Sequence, residues 1–143
     1  MTAARRPEVA WADTNLFVAL FADQRHPLHE PALSLFRRVA EGSLRLIVTP
    51  VVIAELVYVV ESLFDWRRRT VADRLGTLVN SEGLDVRETD AVQRALELYG
   101  TTARLDFVDA YLAASALVTG PSSVASLDRD FDRVHGVRRV SSG

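Results

Sequence analysis

The stretch EVAWADTN, residues 8–15, decides how the chain is read. It begins as a short apolar strand, Val9–Ala12, and turns at Thr14 into a helical pattern running to Phe21. At the junction stands a carboxylate, Asp13. An ionised acid at the end of a run heading for a protein interior is costly unless a cation or a set of donors meets it. Asp13 is therefore either a helix cap or part of a site.

Outward from this junction the chain repeats the same alternation of short β-branched runs and longer helical patterns. Strands are predicted at Val9–Ala12, Leu44–Thr49, Leu84–Arg87, Ser123–Ser126 and Val137–Val140. Helices are predicted at Thr14–Phe21, Leu28–Glu41, Pro50–Leu63, Arg67–Ser81, Asp90–Tyr99 and Phe107–Val118, with a short one near Asp130–Val134. Thr49 followed by Pro50 is a cap with proline at the first helical position. Gly42, Gly83 and Gly120 each follow a helical pattern, where a left-handed residue is wanted. The alternation implies βαβ units: an α/β/α sandwich with a central parallel sheet of four to five strands, as one domain over residues 1–143. Ligands in such sheets bind beyond the carboxyl ends of the strands, which is where Asp13 falls.

Composition narrows the chemistry. Cysteine is absent, so disulfides and thiolate zinc sites are excluded. All seventeen basic residues are arginine, which removes mechanisms that need a lysine, such as P-loop nucleotide hydrolysis and Schiff-base chemistry. The net charge of −2 makes the whole molecule a poor magnet for nucleic acid. The longest apolar stretch, LIVTPVVIAELVYVV, is broken by Pro50 and Glu55 and is too short to span a bilayer. With no leader-like segment, the expected location is cytoplasmic.

Three further acids are candidates to join Asp13. Glu55 is the only charged residue between Pro50 and Val60, on a helix whose neighbouring positions are Val51, Val52, Tyr58 and Val59. In LDFVDAYLAASA, Asp106 reads as the helix cap and Asp109 as the acid of the first turn. In VASLDRDFDRV, Asp128 lies closest to the end of a strand, with Ser126 before it, whereas Asp130 and Asp132 read as a solvated acidic turn. A calcium loop is excluded there, because Arg133 and Arg139 replace the glycine and glutamate it needs. Asp13, Glu55, Asp109 and Asp128 gathered at one sheet edge would repel one another unless divalent cations were among them. Oxygen-only ligands favour Mg²⁺ or Mn²⁺, and the implied chemistry is phosphodiester hydrolysis.

These residues, ADTNLFVALF, TPVVIAELVYVV, LDFVDAYLAASA and VASLDRDFDRV in that order, resemble the PIN-domain nucleases, and more narrowly the VapC-type toxins of toxin–antitoxin pairs. The resemblance implies a Mg²⁺- or Mn²⁺-dependent endoribonuclease that cleaves RNA, forms a homodimer and is inhibited by a VapB-like antitoxin. It carries the metal-ligand role to Asp13, Glu55, Asp109 and Asp128, with support from Thr14 or Asn15 and from Ser126, where threonine is commoner in the family. The alternatives are a PIN-like module that binds a partner without cleaving, and a phosphotransfer domain, which the missing lysine and the Asp13-Thr14-Asn15 order disfavour.

Other residues have plainer readings. His26 and His29 flank Pro27 in a predicted loop, with no third ligand for zinc. Arg67, Arg68 and Arg69 could contact an RNA backbone or merely solvate a helix start. Trp11 is expected in the core, as are Leu16, Phe17, Leu20, Leu33 and Phe36 unless a partner covers them.

Overall fold

A computed structural model describes residues 6–142. In chain order the elements are β1 (Glu8–Trp11), α1 (Thr14–Phe21), α2 (His29–Ala40), β2 (Leu44–Val48), α3 (Pro50–Leu63), α4 (Arg68–Val79), β3 (Leu84–Val86), α5 (Thr89–Thr101), α6 (Phe107–Thr119), β4 (Ser123–Ala125), a 3₁₀ turn at Arg129–Arg133, and β5 (Arg138–Val140). Each expected strand and helix is present, with ends shifted by two residues at most.

All strand pairs are parallel, as helical crossovers require. The five strands fall into two hydrogen-bonded groups, β1-β2-β3 and β4-β5, where a single sheet was expected. The second pair has three residues in each strand, a ladder of few bonds, and among the described residues no ladder joins it to the first group.

The register fixes what is buried. Ala10 pairs with Leu46, which pairs with Leu84, and Val48 pairs with Val86, so one face carries an unbroken apolar layer. Helix α3 adds Ile53, Leu56, Val57 and Val60 to the core at helical spacing. Thr49 caps that helix by accepting from the Val52 N–H at 3.3 Å, with Pro50 next, as the sequence implies. Phe17 is wholly buried, its ring 5.6 Å from that of Phe36, and Leu16 packs against the same core.

Trp11 corrects an expectation. Strand parity puts Val9 and Trp11 on the face opposite Ala10 and Ala12, and that face is open at β1: Trp11 is 67% exposed, with the Arg87 guanidinium 5.7 Å from its ring centre. The core space on the other face is already filled by Leu44, Leu46 and Val48.

Gly83, entering β3, has φ of +86°, and a Cβ there would meet Val39 Cγ1 at 2.6 Å. Gly83→Ala is therefore expected to destabilise the protein by about 1–3 kcal/mol, through both backbone strain and overpacking, as read from the midpoint of urea unfolding.

Candidate active site

Asp13 occupies the N-cap position of α1 with extended backbone angles, yet its carboxylate makes no capping hydrogen bond. A capping aspartate contributes about 1 kcal/mol, and this one forgoes it. It is also exposed rather than buried, so what needs explaining is its unused oxygens. Thr14, 5% exposed, donates its hydroxyl to Glu55 Oε2 at 2.9 Å. This bond ties the start of α1 to α3 and brings Glu55 to the residue next to Asp13. The sequence left the supporting contact open between Thr14 and Asn15; the structure uses Thr14, and Asn15 is exposed.

Glu55 does not sit on a buried face. Val51, one turn before it, is exposed, and so is Tyr58, one turn after. The apolar surroundings inferred for Glu55 are a solvent-facing strip of α3, which is why a glutamate is tolerated there.

Asp109 lies half-buried in the first turn of α6. Burial raises its pKa above the ordinary value, and repulsion from Asp106, Asp128 and Asp130 raises it further. The loop after β4 and the start of α6 therefore share one field of negative charge. Within that loop, Ser126 Oγ accepts from the Asp128 N–H at 2.9 Å, and Asp128 Oδ1 accepts from the Asp130 N–H at 2.9 Å. The capping role expected of Asp130 and Asp132 thus falls to Asp128, whose carboxylate is the first acceptor the 3₁₀ turn can use. Asp132 is instead held by Arg139 at 2.9 Å. Asp106 stands at the N-cap of α6 as expected but makes no side-chain cap bond.

Arginine separates these acids into two sets. Asp106 lies 4.0 Å from Arg68, and Asp130 lies 3.8 Å from Arg133. Among the described residues none of Asp13, Glu55, Asp109 and Asp128 has a basic side chain within 4.0 Å. The donors are oxygen only and unneutralised, a chemistry that fits a hard divalent cation. They are not gathered into a cage: among the described residues no three acidic or histidine side chains are grouped closely enough to hold a metal ion as they stand. His26 and His29 each commit Nδ1 to local backbone, to the Leu28 N–H and the Ala19 carbonyl, and His29 begins α2 rather than lying in the loop.

Between α3 and α6 runs a cleft of about 360 Å³, lined by Ala54, Tyr58 and Glu61 on one side and Asp106, Val108 and Asp109 on the other. Its far end is fixed by a residue whose role the sequence did not disclose. Arg68 neither solvates its helix start nor stands free for phosphate. Its Nη1 donates to the carbonyls of Leu105 at 2.6 Å, Tyr99 at 3.2 Å and Thr102 at 3.5 Å, and its guanidinium carbon lies 4.6 Å from the centre of the Tyr99 ring. It thereby collects carbonyls left open at the end of α5 and holds the chain leading into α6. Buried Tyr99 donates its hydroxyl to Glu61, and burial followed by that bond raises its pKa. The pattern RRR offered no way to tell this arginine from its neighbours.

Residues 11–137 match the PIN domain family, and the chain belongs to it. It is similar to a VapC ribonuclease of Aquifex aeolicus (strain VF5), at 25% identity over 122 residues, covering 85% of this chain and 89% of that protein. No solved structure matches. No helix among the described residues is long and apolar enough to cross a membrane.

Arg68→Ala is expected to destabilise the protein by about 2–3 kcal/mol, because it strips a charged donor from three carbonyls at once; chemical denaturation measures this. Asp109 gives a pH prediction. Its folded-state pKa is raised, so the native state binds the proton more readily than the unfolded chain, and stability falls as pH rises through the window between the ordinary and raised values. Asp109→Asn should lose that fall and be more stable than the wild type at neutral pH, as denaturation midpoints across the window would show.

Proposed function

We propose that the protein is a metal-dependent endoribonuclease and the toxin of a VapBC-like toxin–antitoxin pair. The observation that carries this reading is that Glu55, tied by Thr14 beside Asp13, and Asp109, sharing a field of negative charge with Asp128, have no basic side chain within 4.0 Å among the described residues. The similarity to a VapC ribonuclease supports it.

In this reading the four carboxylates would hold Mg²⁺ or Mn²⁺. When bound, the ion lowers the pKa of a water and stabilises charge on the phosphodiester oxygens. The chain's own residues set the stage. Thr14 fixes one oxygen of Glu55 and leaves Oε1 free to bind. Ser126 and Asp128 shape the loop, leaving Asp128 Oδ2 outside its capping bond. Arg68 aims the first turn of α6, which presents Asp109. A phosphate would be repelled by these acids alone, so cation and RNA enter as one requirement. The partners that complete the reading are RNA, a VapB-like antitoxin and a second copy of the chain, with a cytoplasmic location. The ungathered carboxylates favour a second reading, a module that binds without cleaving.

The purified protein should cleave RNA in Mn²⁺ or Mg²⁺, stop in EDTA, and lose activity by on the order of 10²-fold or more in Asp13→Asn. Cleavage retained in that variant refutes the assignment. Calorimetric titration that detects no Mn²⁺ binding, with and without RNA, selects the silent module.

A further inference from the structure

Tyr58 stands where the nuclease reading needs a contact that the acids cannot supply. It lies one helical turn beyond Glu55 on the same strip of α3 and lines the cleft that Asp109 enters from α6. It is 71% exposed, so the core does not account for it. Across the cleft stands Val108, 63% exposed and adjacent in sequence to Asp109. An exposed aromatic ring and an exposed aliphatic side chain therefore face one opening whose other walls bear Glu61, Asp106 and Asp109.

We infer that Tyr58 is a substrate-positioning residue, on which an unpaired base of RNA stacks while Val108 closes the other side of the base. This rests on the nuclease reading and extends it. The charge distribution selects the occupant. Phosphate oxygens are repelled by the acidic walls except where a cation intervenes, whereas an uncharged base can enter between apolar side chains. Aromatic stacking is the general means by which proteins hold single-stranded nucleic acid without a basic groove at every nucleotide. A base seated on Tyr58 holds the adjoining phosphodiester one helical turn away, level with Glu55. The contact also asks that the nucleotide beside the cleaved bond be unpaired, since a base in a duplex has no free face to offer.

The test uses an RNA oligonucleotide that the wild-type protein cleaves, and a copy with an abasic nucleotide beside the cleaved bond. Tyr58→Ala should raise KM by about 5- to 100-fold with little change in kcat, while Tyr58→Phe and Tyr58→Trp stay close to wild type. The abasic copy should impair the wild type by a similar factor and make little further difference to Tyr58→Ala. Leu63→Ala, an exposed position on the same helix, should behave as wild type. An unchanged KM in Tyr58→Ala, or an abasic penalty equal in both proteins, overturns the proposal. Affinity for the same RNAs with Ca²⁺ in place of Mg²⁺ or Mn²⁺, read by fluorescence anisotropy, repeats the comparison with a divalent cation present and independently of turnover. Failure of the wild type to cut any RNA sinks the nuclease reading, and equal affinities of wild type and Tyr58→Ala sink this one.

Discussion

The site depends on negative charge that the protein declines to neutralise. Seventeen arginines are available, and they reach Glu8, Asp23, Glu30, Asp73, Asp85, Glu97, Asp106, Asp130 and Asp132. Most of those pairs are exposed and contribute little each. Among the described residues ten acids have no such partner, Asp13, Glu55, Asp109 and Asp128 among them, and under the proposed reading this leaves free the oxygens a metal would need. At Asp109 burial first, and then the repulsion of its neighbours, raises the proton affinity.

Much of this was legible in the sequence because it is local. The strand-to-helix junction at Asp13, the Thr49-Pro50 cap and the glycine stops are short-range features, and the elements they delimit formed where expected. The membership in the PIN domain family agrees with the resemblance seen in the ordered motifs. What failed was long-range. Whether Trp11 lies in the core depends on which face of β1 the helices leave open, and strand parity alone cannot say. Asp128, read as a site acid, also caps the acidic turn, because the turn is a 3₁₀ helix beginning one residue earlier than the acidic pattern suggested. Arg68 could be told from Arg67 and Arg69 only once the ends of α5 and the start of α6 were brought beside it.

The Arg68 cluster explains how a repelling first turn is held in place. Asp109 and Asp106 both sit at the start of α6, where the helix dipole favours acids but their mutual repulsion opposes them. Arg68 stands 4.0 Å from Asp106 and fastens the loop just before it, while Tyr99 and Glu61 tie α5 to α3. Asp106, which Arg68 reaches, and Asp109, which has no basic partner among the described residues, are separated by a single turn at the start of α6. That separation lets one helix start be firmly anchored and still present a free carboxylate to the cleft.

The same division of labour runs along α3. Its buried stripe, Ile53, Leu56, Val57 and Val60, fixes the helix by packing, so the opposite stripe carries no structural duty. Val51, Glu55 and Tyr58 on that outer stripe are exposed to solvent. Thr14 is the one buried polar residue among those described, and its hydroxyl reaches across from α1 to that stripe. Burying a hydroxyl is tolerated only when it is bonded, and here its acceptor is the carboxylate of Glu55 itself. The buried Thr14 hydroxyl thus orients an outer acid, which links the packing of the core directly to that acid at its edge.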